Sequence, residues 1–459
     1  MSKMKRLLAL GLSPWVAWVI LVGIIIYGIA ALSLDRDMWL QYYQNDFKVT
    51  PPILVISSDD WGGVSPPETA TDLYQIRNIL RRFKDAYGNH PVITAYINPA
   101  APDFEEIIRS DYKKYTWRFC YEHNPVLVNL WRSLAEEGFF NIQFHGREHI
   151  NIPLWLSALQ EDLPGFRESC GKGYIGQNNY RASEVLVEKD ARFPFLFVSF
   201  VDASTNPPRA LPLETQKYMV RTGLRIIREH FLTNPEIVVA PGHIWDVSTW
   251  RAFKEKHIEY IETIRVPIVE VGPGLELIQT HNYVNWFSNR HGIKAVIRNC
   301  FYEPNWGLAE SETEVNYSRK ALRRAERALR RLRRRLLGGE PAVLATHKYN
   351  YVADGADRKR ANLEGLESLL LKVQTEFPSV AFLSASDLGH YMHNRAHKAT
   401  RKIPFTKTTL SRTERIQNTV KCLWLCHREF RLWFVVASVA LAWCVLTLIM
   451  SKKILAMSK

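Results

Sequence analysis

Short β-rich runs alternate with amphipathic helical stretches through the middle of this chain, and this alternation constrains its fold most. Strand–helix–strand repetition predicts an α/β protein with a parallel sheet. Eight or nine such units fit a closed barrel better than a short open sheet. Strands are predicted at nine places: 53–57, 92–97, 141–144, 195–200, 237–240, 267–271, 295–298, 343–346 and 380–383. Helices are predicted between many of them, at 73–86, 125–137, 217–230 and 362–376.

Polar residues follow several of these strands, at the point where each strand ends. In parallel barrels the active site lies at the carboxyl ends of the strands. The sequence therefore predicts that these side chains gather at one end of the barrel. They include Asp59, Asp60, His145, Asp202, His243, Arg298 and His347.

Two uncharged apolar runs, 15–32 and 432–450, differ from the rest of the chain. At about 1.5 Å per residue, each approaches the ~30 Å thickness of a bilayer core. Lys3, Lys5 and Arg6 precede the first run, so a cleaved signal peptide is the alternative. The length of the run and the lack of a clear cleavage site favour an uncleaved anchor.

The charges that flank these runs predict the orientation of the protein. Lys3, Lys5 and Arg6 lie on the cytoplasmic side by the positive-inside rule, and Lys452 and Lys453 fit the same side. The body between them would then face the periplasm or the cell exterior from the cytoplasmic membrane. The expected segments are an anchor (1–34), a linker (35–50), a barrel domain (51–395), a basic juxtamembrane connector (396–431) and a C-terminal transmembrane helix (432–451).

Most of the net charge of +14 comes from residues 318–337, where ten arginines and lysines stand against Glu326 alone. An apolar stripe at helical spacing runs through this segment, and Gly338 and Gly339 follow it, so it is predicted to be a helix. Its basic face is interpreted as a solvated outer surface. Contact with anionic lipid headgroups or an anionic polysaccharide is the alternative. The expected compartment disfavours nucleic acid as a partner.

Two histidines four residues apart occur in the string His145-Gly146-Arg147-Glu148-His149. On a helix this string would be the inverted zinc-protease motif H-x-x-E-H. The polar–apolar alternation over 141–144 indicates a strand instead, while Gly146 weakens a helix and Pro153 limits its length. We therefore expect both histidines on a loop after a strand.

Adjacent carboxylates, Asp59 and Asp60, follow the first apolar strand. Like charges this close raise one pKa unless a cation or hydrogen bonds compensate. A plain turn with Gly62 and Gly63 is one explanation. Together with His145 and His149, however, the pair favours a divalent metal held by one of the carboxylates. The six cysteines include no Cys-x-x-Cys pair, so a cysteine zinc site is not expected.

Four blocks in this order resemble the polysaccharide deacetylase superfamily, the carbohydrate esterases with a chitin-oligosaccharide deacetylase homology domain. They are Ser58-Asp59-Asp60-Trp61, His145-Gly146-Arg147-Glu148-His149, Val239-Ala240-Pro241-Gly242-His243 and Leu344-Ala345-Thr346-His347. The strings "HGREH", "APGHIW", "RNCFYEP" and "THKYNYV" are most similar to divergent bacterial members from surface-polysaccharide loci. The resemblance covers residues 53 to about 390 and implies a distorted (β/α)7–8 barrel.

The resemblance also implies roles for individual residues. Asp60, His145 and His149 would hold a divalent metal, expected to be zinc, with cobalt, nickel or manganese as alternatives. Asp59 would be the catalytic base, and His347 would protonate the leaving group. The implied substrate is an acetylated polysaccharide.

The sequence departs from the family pattern at two positions. Gly146 stands where the family usually has Ser or Thr, and Val239 stands where it has the arginine that steers the catalytic aspartate. Arg298 is our hypothetical substitute, and a salt bridge in the barrel core is the other explanation of that residue. Trp61, His243 and Trp245 are predicted to line the sugar site. Packing is the alternative for the last two.

The sequence thus predicts a membrane-anchored, metal-dependent deacetylase that removes N- or O-acetyl groups from an envelope or surface polysaccharide. One alternative is a hydrolase on the same barrel that cleaves a glycosidic or non-peptide C–N bond; a glycosidase would need two opposed carboxyl groups. Another is a non-catalytic protein that binds glycan and assists its assembly, which the Val239 departure supports. The sequence predicts neither the sugar nor an oligomeric state.

Overall fold

A computed structural model describes residues 46–175, 195–264, 267–271, 277–283, 286–305, 314–352 and 356–426 of the chain. The chain divides into two compact units, a larger one of residues 49–336 and 341–406 and a smaller one that includes 46–48, 337–340 and 407–426. The predicted spans at 15–32 and 432–450 lie outside the described residues. Within the described ranges, no helix combines the length and apolar composition needed to cross a bilayer.

Strands and helices alternate through most of the chain. The strands are β1 (Phe47–Thr50), β2 (Ile53–Gly62), β3 (Ile93–Asn98), β4 (Ala100–Pro102), β5 (Trp117–Phe119), β6 (Phe140–Phe144), β7 (Val201–Asp202), β8 (Arg209–Ala210), β9 (Ile237–Val238), β10 (Tyr260–Thr263), β11 (Pro267–Val271), β12 (Leu277–Tyr283), β13 (Asn289–Arg290), β14 (Ile293–Ile297), β15 (Cys300–Phe301), β16 (Ala342–His347), β17 (Ala381–Leu383) and β18 (Thr406–Thr409). The helices are α1 (Ala70–Leu80), α2 (Phe104–Arg109), α3 (Pro125–Glu136), α4 (Ile152–Gln160), α5 (Phe166–Gly171), α6 (Leu213–Phe231), α7 (Val247–Lys254), α8 (Glu314–Gly338), α9 (Tyr349–Val352), α10 (Ala356–Glu376), α11 (Ala385–Met392) and α12 (Arg412–Cys426).

The main sheet of the larger unit curls into an α/β barrel. Its parallel strands follow the order β14–β10–β9–β6–β3–β2–β16–β15. β14 pairs with β10, and β15 pairs with β16. Only two residues separate β14 from β15, so a single segment carries both ends of this strand order. The Arg298 N–H donates to the Thr263 carbonyl at 2.9 Å beside β10, and the Asn299 N–H donates to the Val343 carbonyl at 3.3 Å on β16. The hydrogen-bonded path therefore returns to its start.

Strand β2 lies at the centre of this arrangement, and every one of its ten residues is buried. Such burial on both faces is typical of a parallel strand covered by helices outside and side chains inside. β2 pairs along one side with β16 and along the other with β3, while β17 pairs beside its first residues. This register places His347 opposite Asp59.

All but one of the predicted strands form, and one of those that form lies outside the main sheet. The prediction for 195–200 is wrong, because this segment folds as turns before the short strand β7. The run at 267–271 is a strand, but it pairs antiparallel with β12 in a separate two-stranded sheet. Its expected place in the barrel belongs to β10, a neighbouring segment that pairs with β9 and β14.

The predicted helices form with shifted ends, and the basic segment at 318–337 lies within α8. One inference about Pro153 is wrong. Instead of stopping a helix, Pro153 lies in the first turn of α4, with the Asn151 side chain accepting from the Leu154 N–H at 3.1 Å. Proline is well suited to the first turn, where its missing N–H would have no helical partner.

The described part of the smaller unit contains the first residues of β1, most of β18 and the helix α12. The Leu410 N–H donates to the Asp46 carbonyl at 2.7 Å, and the Asn418 side chain donates to the Gly338 carbonyl at 3.0 Å. Part of the predicted basic connector, 396–431, is therefore ordered as a strand and a helix. Its juxtamembrane position stays a prediction.

Candidate metal centre

A β-bulge at the end of β2 sets the directions of the two adjacent carboxylates. The pairing of β2 with β3 shifts between Ser58 and Trp61, so that one extra residue is accommodated on β2. Asp60 has a φ of 70° at this point. Bulges re-aim side chains that would otherwise alternate between the two faces of a strand. Both Asp59 and Asp60 are therefore available to the same buried site, at 2% exposure each.

The loop after β6 carries the two histidines, as the sequence predicted, and residues 145–150 contain no helix. The inverted zinc-protease alternative, which needs a helix there, is therefore excluded. Gly146 has a φ of 83°, and a Cβ at this position would lie 2.9 Å from the Pro241 ring. The Asn98 side chain donates to the carbonyls of His145 and Gly146, the second at 3.4 Å. These contacts brace the loop where the family usually has Ser or Thr.

Asp60, His145 and His149 converge on one point. The Asp60 Oδ1 atom lies 3.3 Å from His145 Nε2 and 3.5 Å from His149 Nε2. All three potential ligand atoms lie within 4.8 Å of one another. Two ligands that are each ~2.1 Å from one tetrahedral zinc ion are about 3.4 Å apart. The spacing therefore fits a shared divalent ion.

The ring orientations of the two histidines also fit a metal. His145 Nδ1 lies 2.8 Å from the Val239 carbonyl, which can only accept, so Nδ1 carries a hydrogen and Nε2 is the nitrogen that faces Asp60. Burial lowers the pKa of His149 to about 4, which keeps that imidazole neutral. Burial opposes ionisation of Asp60, but His149 and His145 outweigh it and hold the pKa of that carboxyl well below its usual range. One carboxylate and two imidazole nitrogens suit zinc and related ions.

Arg298 lies against Asp59 through two hydrogen bonds. Its Nη1 and Nη2 atoms donate to the Asp59 Oδ2 and Oδ1 atoms at 2.5 and 2.6 Å. Its Nε atom donates to Glu262 at 2.7 Å, and Glu262 also accepts from Ser57 at 3.0 Å and from Tyr96. Arg298 therefore forms a salt bridge with Glu262 in the barrel core and also contacts Asp59. The salt-bridge explanation and the role as a partner of Asp59 are both compatible with these contacts. Burial opposes ionisation of Asp59, but Arg298 keeps the pKa of that carboxyl well below normal.

His347 faces Asp59 from the neighbouring strand. Its Nε2 atom lies 3.9 Å from Asp59 Oδ2, and its Nδ1 atom lies 2.7 Å from Glu303 Oε1. Burial alone would lower the pKa of His347, but the Glu303 carboxylate raises it to about 10. The imidazole is therefore charged at neutral pH. Glu303 itself is fixed by hydrogen bonds from Tyr349 at 2.9 Å and Asn350 at 2.7 Å.

A second buried ion pair supports the loop that follows Asp60. Lys348 Nζ donates to Glu68 Oε2 at 3.0 Å and to the Val64 carbonyl, and both charged side chains are almost fully buried. The Lys348 backbone N–H donates to the Asp59 carbonyl at 2.9 Å. Glu68 also accepts from the Gly62 N–H at 3.2 Å. This network fixes the backbone on both sides of the bulge.

Sequence reasoning missed Glu303, Glu68 and Lys348 as partners in the site. Glu303 offered a signal, because it follows a barrel strand and stands directly before Pro304 in the quoted string "RNCFYEP". Lys348 directly follows His347, and Glu68 lies in a loop far away in sequence. The pairing of Glu303 with His347 and of Glu68 with Lys348 depends on the register of distant strands, which sequence patterns do not predict.

The prediction that Trp61 and Trp245 line the sugar site is wrong. Trp61 is 0% exposed and Trp245 is 2% exposed. Trp61 packs edge-on against Trp131 of α3, with ring centroids 5.3 Å apart, and Trp245 packs against Trp250 of α7 at 5.8 Å. Past the bulge, Trp61 points towards the covering helices, so neither indole is available to a glycan.

His243 lies close to the site and is half-buried. Its Nδ1 atom is 3.3 Å from the Thr263 hydroxyl. Burial, with the nearby Arg298 charge, lowers the pKa of His243 to about 3, so the ring is neutral. Its role in binding substrate stays a prediction.

No family model and no curated protein matches this sequence. Among solved structures, a Mycobacterium smegmatis protein described as a candidate polysaccharide deacetylase is 14% identical, with a TM-score of 0.36, over 76% of this chain and 92% of that chain. A family 4 carbohydrate esterase from Streptomyces lividans is 9% identical, with a TM-score of 0.31, over 72% and 92%. A family 4 pseudoenzyme from Bacillus anthracis is 8% identical, with a TM-score of 0.32, over 74% and 66%.

Polysaccharide deacetylases and family 4 carbohydrate esterases are among the solved structures to which this chain is similar. Likeness at these TM-scores carries no argument about activity, and one of the similar proteins is a pseudoenzyme. The activity has to be argued from the residues of the site.

Proposed function

We propose that this protein is a metal-dependent deacetylase that removes N- or O-acetyl groups from an envelope or surface polysaccharide. The observation that carries the proposal is the convergence of Asp60, His145 and His149, whose ligand atoms lie within 4.8 Å of one another. Beside them lie an ionised carboxylate, Asp59, and a charged imidazole, His347, 3.9 Å apart. A metal site, a base and an acid are the three parts that hydrolysis of an acetyl group needs.

Asp60, His145 and His149 would hold the cation, with zinc expected and cobalt, nickel or manganese as alternatives. When bound, a divalent ion supplies Lewis acidity, which polarises an acetyl carbonyl and lowers the pKa of water towards ~7. Asp59 would accept a proton from the water that attacks the acetyl carbon. The two hydrogen bonds from Arg298 hold both oxygens of Asp59, so the base has a fixed direction.

His347 would complete the reaction as the general acid. Its Nε2 atom faces Asp59, while the Nδ1 atom is held by Glu303. A pKa of about 10 keeps the ring protonated at neutral pH, as an acid that donates to a departing amine or hydroxyl must be. The products are acetate and the free amino or hydroxyl group of the sugar.

Acetate release by the full-length protein tests this proposal. Protein loaded with Zn²⁺ or Co²⁺ should release acetate from acetylated glycans, and removal of the ion by a chelator should stop the release. Failure to release acetate from any acetylated glycan with metal bound would count against the esterase function. A glycosidase on the same barrel would instead cleave the sugar chain without metal.

Asp59→Asn separates catalysis from glycan binding. The variant keeps the shape of the side chain but cannot accept the proton, so acetate release should fall by about 10²–10⁴-fold with metal still bound. In cells, the acetylation of the glycan should change as it does in a deletion strain. If acetylation changes in the deletion and stays normal in the Asn variant, the protein acts by binding.

We also propose that the protein is held in the cytoplasmic membrane, with the barrel facing the periplasm or the cell exterior. The support is the pair of uncharged apolar runs, 15–32 and 432–450, with lysines and arginines beyond both. Protease added to cells with an opened outer envelope should digest the barrel. Protection of the barrel until the membrane is dissolved would contradict this orientation.

A further inference from the structure

Helix α8 presents a row of exposed arginines, here called the basic face and defined as Arg319, Arg323, Arg327 and Arg330. Their spacing of three or four residues puts them on one side of the helix, one per turn of about 5.4 Å. The opposite side is packed into the larger unit. Its buried residues include Tyr317, Ala321, Ala325, Ala328 and Leu332.

The first half of α8 is fixed to the segment that orients His347. Arg324, which is half-buried, donates from Nη1 to the Pro304 carbonyl and, at 3.3 Å, to the Glu303 carbonyl. Glu303 in turn lies 2.7 Å from His347 Nδ1. Tyr317, near the start of the helix, donates to Asn305 in the same segment. The half of α8 that carries Arg319 and Arg323 is therefore anchored to the segment that orients His347.

The composition of α8 favours a partner with anionic groups that accept two parallel hydrogen bonds. Nine of its ten basic residues are arginines. Arginine binds carboxylate or phosphate with two parallel hydrogen bonds, whereas lysine serves as well as arginine where only diffuse positive charge is needed. A lipid surface attracts either residue.

The apolar residues of α8 also argue against a lipid partner. Helices that lie in a membrane interface insert a broad apolar face beside the basic one. In α8 that face is already buried, and within residues 317–338 only Leu322, at 54%, is a large apolar side chain that is strongly exposed. The helix can present charge to a partner, but it has little apolar surface to insert.

We propose that the basic face binds an anionic polysaccharide, with carboxylate, phosphate or sulfate groups along its chain, and aligns it with the candidate site. The proposal rests on the proposed deacetylase function and narrows its substrate class from glycans in general to acidic glycans. A repeat of about 5.4 Å per helical turn is comparable to the advance of one sugar in an extended glycan, so successive arginines can meet successive acidic groups.

Binding of a non-acetylated oligouronate to the full-length protein tests this inference without any need for catalysis. The R319Q/R323Q/R327Q variant should bind it about tenfold more weakly than the wild type, a difference of about 1.4 kcal/mol, because each exposed ion pair contributes modestly. Binding by the wild type should also weaken as salt is raised. A neutral chito-oligosaccharide should bind both proteins equally.

The matched control is R221Q/R225Q/R228Q, which removes three exposed arginines at similar spacing from α6. This variant should bind the oligouronate as the wild type does, and both variants should keep the melting temperature of the wild type. Equal losses in the two variants would show a general effect of net charge and would overturn the inference. Binding to vesicles of anionic lipid, but not to oligouronate, with loss only in the α8 variant, would assign the face to a membrane and overturn it as well.

Acetate release from a neutral acetylated oligosaccharide keeps this inference separate from the proposed function. The α8 variant should release acetate from it at the wild-type rate, because the basic face does not contact the reacting groups. With an acetylated acidic oligosaccharide, KM should rise about tenfold while kcat stays unchanged. A rise in KM of the same size for both substrates would overturn the role in selecting acidic glycans. Failure of the wild type on every acetylated substrate would defeat the proposed function and leave the oligouronate result standing.

Discussion

The two ends of the barrel both bury a histidine against a carboxylate, yet they are organised differently. At the amino end, His390 on α11 uses both ring nitrogens in a closed network. Its Nε2 atom lies 2.8 Å from Glu236 Oε2, and its Nδ1 atom lies 3.0 Å from the Tyr260 hydroxyl. Each nitrogen is satisfied by a different partner, so the network holds α11 across β10 and directs no ligand atom into a shared space.

At the carboxyl end, two histidines each direct one ring nitrogen towards the same carboxylate oxygen. His145 uses Nδ1 for a backbone carbonyl and presents Nε2 towards Asp60, and His149 also presents Nε2 there. Among the described residues, this is the one group of His, Cys, Asp and Glu that meets the geometry for a metal. Convergence of ligand atoms, rather than burial of a histidine beside a carboxylate, distinguishes the candidate site from a structural network.

Removal of the charge of Asp60 at the carboxyl end of the barrel should cause the largest fall in metal binding and activity. Asp60→Asn keeps the shape of the side chain, and asparagine tolerates the φ of 70° at this position. The amide is a poor substitute for a carboxylate on zinc, so bound metal should fall from stoichiometric to negligible, and acetate release should fall to background. Metal analysis after gel filtration and an acetate assay measure both. Full metal content in the variant would show that Asp60 is not a ligand.

Loss of the bidentate contact between Arg298 and Asp59 should cause the next largest fall in activity. Arg298→Lys keeps the positive charge beside Asp59 and Glu262 but cannot hold both oxygens of Asp59 at once. Misplacement of the base by about 1 Å should lower kcat on the order of 10²-fold, with metal content unchanged. Because Arg298 is buried, the unfolding transition of the variant has to be measured beside its kcat. A folded variant with wild-type kcat would reduce Arg298 to a structural salt bridge.

Glu303→Gln should move the alkaline limb of the pH profile. Protonated His347 is the acid, so kcat/KM should fall as the pH rises through its pKa of about 10. Loss of the Glu303 charge lowers that pKa towards 6.5, where only about 3% of the ring is protonated at pH 8, a loss of roughly 30-fold. The raised pKa also contributes stability that is fully present below pH 6.5 and is lost as the pH rises through about 10. An alkaline limb in the same place in both proteins would remove His347 from the acid role.

The sequence predicted those parts of the site that depend on local pattern. The apolar run of β2 ends in two aspartates, and the alternation in β6 with Gly146 after it placed the histidines on a loop. Arg298 was found because it ends an apolar run. In each case the chemistry-bearing residue lies next to the element that positions it, so the signal is contained in a few consecutive residues.

The parts that were missed or wrong depend on register between distant segments. The bulge at Asp59 and Asp60 shifts the alternation, so Trp61 faces the helices rather than the site. Glu303 meets His347, and Glu68 meets Lys348, only once the barrel has closed. The segments 260–263 and 267–271 each combine β-favouring residues with one glutamate, and only pairing with β9 and β14 selects the first for the barrel.

His390→Ala should have the smallest effect on activity and the clearest effect on stability. The substitution removes the hydrogen bonds to Glu236 and Tyr260 and leaves a cavity under α11, which should lower the free energy of unfolding by about 1–3 kcal/mol. Urea denaturation measures this loss, while metal content and kcat should match the wild type. His390→Gln, which retains a polar group at the same place, should recover part of the stability. If His390→Ala loses metal or kcat while its unfolding is unchanged, the two ends of the barrel are coupled, and a closed hydrogen-bond network would no longer distinguish a structural histidine from a ligand.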